Sequence, residues 1–190
     1  MQSIVEADRL ILRQWCDEDY APFAGINADP RVMEFFPQIL SRDESDDLAN
    51  RCRELIAERG WGFWAVELKG CCDFIGILGL NAPQDRLPCS PCIEIGWRFA
   101  YKHWGRGYAT EAGNATLEFA FKTLMLDEVV AFTALKNQRS RAVMQRLGMS
   151  NTNRDFDHPA LVPNHPLSKH ALYSITRRGW EERENRRYGL

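Results

Sequence analysis

One stretch constrains this chain more than any other. Between Ile93 and Ala112 a strand, a glycine turn and a helix follow without interruption. Ile93, Ile95, Trp97 and Phe99 alternate with Glu94, Gly96, Arg98 and Ala100, which is the period-two pattern of a strand with one apolar face. Gly105 and Gly107 then turn the chain, and Ala109, Ala112, Thr116, Phe119 and Ala120 recur along one side of a helix. The first amides of such a helix lack intrahelical partners and point outward, so with the helix dipole they form an anion site. Glycine lets the backbone come close to phosphate oxygens. Lys102, His103 and Arg106 add positive charge at the same place.

That charge is local. The chain has 190 residues with 24 Lys plus Arg against 26 Asp plus Glu, a net charge of −2. A globally basic nucleic-acid binder is thereby disfavoured, and no nucleic-acid partner is expected. The turn is neither a G-x-G-x-x-G dinucleotide fingerprint nor a P-loop, because no Gly-Lys-Ser/Thr follows. ATP and NAD are therefore poor candidates for the anion. A second basic segment, Lys136 to Arg146, carries four basic residues and no acidic ones, directly after a strand. Two basic helix starts of this kind can serve one phosphate-rich ligand, although a solvated helix face is the commoner meaning of a charge run.

The remaining pattern reads as one mixed α/β (α+β) domain of six or seven strands flanked by helices, over residues 1–176, with 177–190 a solvated tail. Ile11–Trp15 reads as a strand and Asp17–Asn27 as a short helix. Ser41-Arg42-Asp43-Glu44 is a capping box that opens a helix bearing Leu48, Cys52, Leu55 and Ile56 and ending at Gly60. Trp61–Leu68 and Phe74–Asn81 read as a hairpin. Glu128–Leu135 and His170–Thr176 read as strands, with a helix capped by Asn137 between them.

No signal peptide is visible, and the longest apolar run, Phe74–Leu80, falls far short of the ~20 residues of a membrane span. The expectation is a cytoplasmic protein with no membrane partner, monomer or homodimer. The six Cys read as reduced, mostly buried thiols. A zinc site from Cys71-Cys72 and Cys89-Ser-Pro-Cys92 is disfavoured, because the first pair has no intervening residue, and no metal is expected.

Trp104-Gly-Arg-Gly-Tyr-Ala-Thr-Glu-Ala112 resembles the acyl-CoA pyrophosphate loop of the GNAT superfamily of N-acetyltransferases. Asn137-x-x-Ser140, followed by Val143 and Leu147-Gly148-Met149, resembles that superfamily's next conserved stretch. Asp8–Arg13 and Glu94–Trp97 look like the RimJ/RimL-like branch, as does Trp104 where the superfamily usually has Gln or Arg. The resemblance runs from Ala7 to Tyr173.

It implies a GNAT acyl-CoA N-acyltransferase fold and transfer of an acetyl group from acetyl-CoA to a primary amine, by direct attack in a ternary complex. It implies cofactor contacts at Phe99, Ala100, Trp104, Gly105, Arg106, Gly107, Tyr108, Ala109, Thr110, Asn137, Ser140 and Arg141, with Phe99 and Ala100 offering free amides to the thioester carbonyl. Many relatives place a tyrosine acid where this chain has Met144; in the RimJ/RimL-like group, Ser at the Ser140 position serves near the thiol. The branch points to a peptide or ribosomal-protein N-terminus as acceptor. The alternatives are a small amine, as in detoxifying enzymes, or a non-catalytic acetyl-CoA-binding module.

The chemistry needs a neutral amine. Glu94 is the carboxylate best placed to take its proton, directly or through water; pairing with Arg98 is the competing role. An α-amine, with a pKa of about 7.7–8.0, needs a weaker base than a Lys amine near 10.4. Asp157 and His158, in a late polar cluster with His165 and His170, read as a pocket wall or alternative base, against the ordinary reading of an exposed loop. Phe35, Trp64 and Asn81 are further substrate-facing candidates, with core packing the competing role for the two aromatics.

Overall fold

The computed structural model describes residues 4–71, 73–83, 86–162 and 164–189. Cys72 of the disfavoured zinc reading lies outside them. The chain folds as two compact units, Met1–Asn81 with Gly96–Thr116, and Ala82–Ile95 with Leu117–Leu190. Among the described residues they contribute nine strands and five α-helices, two or three strands more than the sequence pattern predicts.

In the first unit, β1 (Val5–Glu6), β2 (Leu10–Arg13), β3 (Phe63–Leu68) and β4 (Asp73–Asn81) form an antiparallel meander. The Gly96–Phe99 part of β5 (Glu94–Phe99) runs beside β4. Leu10, Leu12, Trp64, Ile75, Leu78 and Leu80 are fully buried. A 3-10 turn at Asp17–Asp19 leads into α1 (Tyr20–Asn27), which splits the helix expected over 17–27. α1 presents Phe23 to Trp15, ring centroids 5.0 Å apart. α2 (Arg42–Arg59) begins as its capping box requires: Ser41 Oγ accepts from the Glu44 amide, and the Glu44 carboxylate accepts from the Ser41 amide at 2.7 Å. It stops at Gly60, whose φ of 83° is left-handed.

Gly76 is required where it stands. A Cβ there would lie 2.3 Å from the Arg98 carbonyl oxygen and 2.7 Å from Phe99 Cα. The β4 backbone therefore presses directly on the end of β5, and any side chain at residue 76 would move Phe99.

In the second unit, the start of β5 pairs in parallel with β6 (Glu128–Ala134) at Glu94 and Val130. β6 pairs antiparallel with β9 (Lys169–Thr176), which also carries β7 (Ser150–Asn151) and β8 (Phe156–Asp157). α3 (Tyr108–Glu118) links β5 to β6, the crossover that a parallel pair needs, and ends in a π turn at Phe119–Thr123. α4 (Gln138–Arg146) follows β6.

The C-terminal segment differs from the solvated tail expected of it. Arg177–Tyr188 form α5, capped by Thr176 Oγ1 accepting from the Gly179 amide at 3.2 Å. Trp180 is buried and packs on Phe121, ring centroids 5.5 Å apart. A single Trp in a run of charges has no apolar period, so the sequence pattern misses a helix anchored at one point.

Candidate active site

In the first unit the chain leaves β5 at Phe99 and makes a 3-10 turn at Tyr101–His103. Trp104 folds back so that its indole Nε1 donates to the Phe99 carbonyl at 2.9 Å. Gly105 and Gly107 have φ of 73° and 83°, and α3 opens at Tyr108. The Thr110 and Glu111 amides return to the Gly107 carbonyl at 3.1 and 3.0 Å. Side chains are absent where the turn bends: a Cβ on Gly107 would meet only Arg9 Nη2 at 3.6 Å. Arg9 braces the arrangement. Its amide and Nε both donate to the Glu111 carboxylate at 2.7 Å, and its Nη2 donates to the Arg106 carbonyl at 3.2 Å. Its guanidinium also lies 4.6 Å from the Tyr108 ring centroid. Gly105, Arg106 and Gly107 are exposed. An anion arriving here meets bare backbone, the positive end of α3 and the Arg106 side chain.

His103 sits behind this turn with both ring nitrogens buried and unbonded among the described residues. Burial lowers its pKa first, and Lys102 and Arg106 lower it further, so the ring is neutral at pH 7.

The two amides expected at the end of β5 are not equivalent. The Ala100 N–H donates to the Ile75 carbonyl of β4 at 3.0 Å, so it is spent within the sheet. Amides alternate in direction along a strand, so the Phe99 N–H points away from β4. The expected pair of free donors thus loses Ala100, whose amide holds the strand in place. Of the substrate-facing candidates in this unit, Trp64 is fully buried in β3, while Phe35 and Asn81 are half-buried.

In the second unit, Asn137 caps α4 and makes two further hydrogen bonds. Its Oδ1 accepts from the Ser140 amide at 3.1 Å, and its Nδ2 donates to Thr133 Oγ1 at 3.0 Å and to Ser140 Oγ at 3.1 Å. Ser140 Oγ is therefore an acceptor toward Asn137, and its own proton is left to donate elsewhere. Arg141 donates to the Tyr173 hydroxyl at 3.3 Å and the Leu135 carbonyl at 3.2 Å, both neutral. Among the described residues it has no carboxylate partner. Met144 is buried in the core, and the buried Tyr173, which sequence reasoning passed over, presents its hydroxyl beside Arg141.

Glu94 opens β5 in this unit, half-buried. Its carboxylate, with Glu128, adds to burial and the Cys89 contact in pushing the Cys92 thiol up to about 12. That thiol stays protonated, with its sulfur 3.1 Å from Cys89 Sγ. Asp157 is exposed and pairs with Lys169 at 3.4 Å. His158 faces inward beside His170, ring centroids 5.0 Å apart, with Phe132 at 5.8 Å and 6.1 Å from them. Burial lowers the His170 pKa, its largest influence. The sequence groups His158 with Asp157, but Asp157 is exposed while His158 is half-buried against His170 and Phe132. Among the described residues no cluster of three or more His, Cys, Asp or Glu can hold a metal, and no helix is long and apolar enough to cross a membrane.

Comparison with known proteins covers the stretch that holds the turn. The acetyltransferase (GNAT) domain family matches residues 9–150. YkkB of Bacillus subtilis (strain 168) is 32% identical over 160 residues, covering 82% of this chain and 91% of that protein. FsC-acetyl coenzyme A-N(2)-transacetylase of Aspergillus fumigatus is 30% identical over 164 residues, covering 82% of this chain and 68% of that protein. The crystal structure of an acetyltransferase (GNAT family) from Bacillus anthracis superposes with a TM-score of 0.77 at 24% identity, covering 93% of this chain and 99% of that one. A glycine turn running into α3, a family match that spans it, and a shared fold converge on one conclusion: the chain belongs to the GNAT family of acetyltransferases.

Proposed function

We propose that the protein transfers the acetyl group of acetyl-CoA to a primary amine on a small molecule, by direct attack of the amine on the thioester. The observation that carries this reading is the exposed Gly105–Gly107 backbone feeding α3, braced by Arg9 on Glu111. It fits a pyrophosphate, with the contacts implied at Trp104 through Thr110, and Asn137, Ser140 and Arg141 supply the further cofactor contacts. CoA is the donor that the family uses.

The amine nitrogen, once neutral, attacks the carbonyl carbon. The Phe99 N–H stabilises the oxyanion that develops, an interaction worth on the order of 2.7–4 kcal/mol when preorganised. Glu94 accepts the amine proton, with His158 and His170 as the competing bases. The C–S bond breaks, and the thiolate takes the Ser140 hydroxyl proton, which solvent replaces.

The small acceptor is favoured by the similarity to FsC-acetyl coenzyme A-N(2)-transacetylase. The RimJ/RimL-like resemblance at Glu94–Trp97 and Trp104 supports a peptide N-terminus as the second reading. Incubation with acetyl-CoA and a panel of peptides, polyamines, amino acids and other small amines, followed by free thiol, separates the two. Turnover of small amines alone is the expected result. Turnover confined to peptides would overturn the small-acceptor reading, and tight CoA binding without any turnover would identify a binding module.

A further inference from the structure

Arg98 is a half-buried cation to which the described residues supply no anion. It lies on β5, where its Nη1 donates to Asn27 Oδ1 and the Phe36 ring covers the guanidinium, 4.1 Å from carbon to centroid. Its Nε is buried and has no acceptor among the described residues. The pairing with Glu94 that the sequence offers as a competing role does not form, and Arg98 has no ion pair with any described residue.

The surroundings are built for this cation and do not neutralise it. Asn27 is fully buried, and its Nδ2 donates to the buried Ser45 hydroxyl at 2.8 Å, which fixes its carbonyl oxygen toward Arg98. The Cys52 thiol nearby feels Arg98, Arg59 and Arg51 together. Arg59 is also half-buried: its Nε donates to the Trp61 carbonyl at 3.0 Å, its Nη2 is buried without an acceptor among the described residues, and its guanidinium lies 3.9 Å from the Trp61 ring centroid. Burial drives the Arg98 pKa down to about 10, and no carboxylate among the described residues opposes that. A partly buried charge without a counter-ion destabilises a fold unless something repays it. Asn27 occupies one end of the planar fork. The Nε–Nη2 edge remains, and that edge takes a carboxylate in two parallel hydrogen bonds.

We propose that Arg98 binds a carboxylate carried by the acceptor, so that the amines this protein acetylates are amino acids or similar amino-carboxylic acids. This rests on the acetyl-transfer reading and narrows its substrate class. A polyamine or a plain amine leaves Arg98 unpaired and is discriminated against.

The test uses matched sets: a free amino acid, its amide and its decarboxylated amine, for phenylalanine, leucine, glutamate and lysine. For at least one set, kcat/KM for the free acid should exceed that for both neutral partners by at least about tenfold, because a site built around a polar group rejects analogues lacking it. Arg98→Met should reduce the preference to within about threefold, and Arg98→Lys should retain part of it, with CoA affinity unchanged in both. Equal use of acid and amine by the wild type, or a preference that survives in Arg98→Met, overturns the proposal. Should Arg98→Met fail to fold, the wild-type preference and Arg98→Lys decide it. Calorimetry with N-acetyl amino acids and N-acetyl amines, in the presence of CoA, reads carboxylate binding without turnover. Binding of the acids alone supports the proposal even if no acetyl transfer is found, in which case only the catalytic reading fails; no preference for the acids overturns it.

Discussion

The Arg9 guanidinium closes on the Glu111 carboxylate at 2.6 Å although the two residues lie 102 positions apart. It ties β2's leading edge to the first turn of α3 and holds the Arg106 carbonyl as well. The contact is partly exposed, so its contribution is about 1 kcal/mol, equivalent to about fivefold in affinity. Glu111→Gln should therefore raise the CoA dissociation constant by about that factor and change kcat little. Titration of CoA by calorimetry checks this, and an unchanged affinity would remove Arg9 and Glu111 from the account of the turn.

Gly107 combines open space with a φ of 83°. Gly107→Ala meets no neighbour, yet its Cβ disfavours that backbone by about 1–2 kcal/mol, so CoA binding should weaken by roughly tenfold. Gly107→Glu adds bulk and like charge and should abolish CoA binding. Retained affinity in the Glu variant would contradict the pyrophosphate assignment.

Glu94→Gln keeps the shape of the side chain and removes its basicity. Turnover of the best acceptor should fall at least about tenfold, within the range of a general base. The acidic limb of the pH–rate profile should change with it. An unaltered rate and profile would shift the role to His158, His170 or water.

Burial holds His170 below the ordinary histidine pKa, and His103 likewise. The folded state thus binds fewer protons than the unfolded chain near pH 6. The stability that these neutral rings contribute is present above the unfolded pKa and is lost as pH falls toward their folded values. Proton NMR of the imidazole resonances should show both titrating below the usual 6.5. A normal titration of His170 would show that β9 leaves it solvated.

Trp180 anchors α5 on Phe121. Trp180→Ala should destabilise the protein by about 3–5 kcal/mol, read by chemical denaturation. A change under about 1 kcal/mol would mark α5 as a loosely held end.

What was legible in the sequence was local. The alternation through β5, the Ser41–Glu44 box, the Asn137 cap and the paired glycines each depend on residues within a few positions of one another, and each forms where the pattern places it. Contacts between distant segments were not legible. Nothing in the sequence says that Ile75 consumes the Ala100 amide, that Arg9 reaches Glu111, or that Arg98 meets Asn27 and not Glu94. Strands of two residues, such as β7 and β8, have no period to read, and α5 offers one apolar anchor among charges.

The central claim is that acetyl passes directly from CoA to an amine nitrogen. The most direct measurement follows carbon-labelled acetyl-CoA by mass spectrometry, on the acceptor and on the intact protein. The account predicts label on the acceptor nitrogen, one free CoA released per acetyl gained, and none retained on the protein during turnover. Label accumulating on a protein side chain, or appearing only as free acetate, would contradict it.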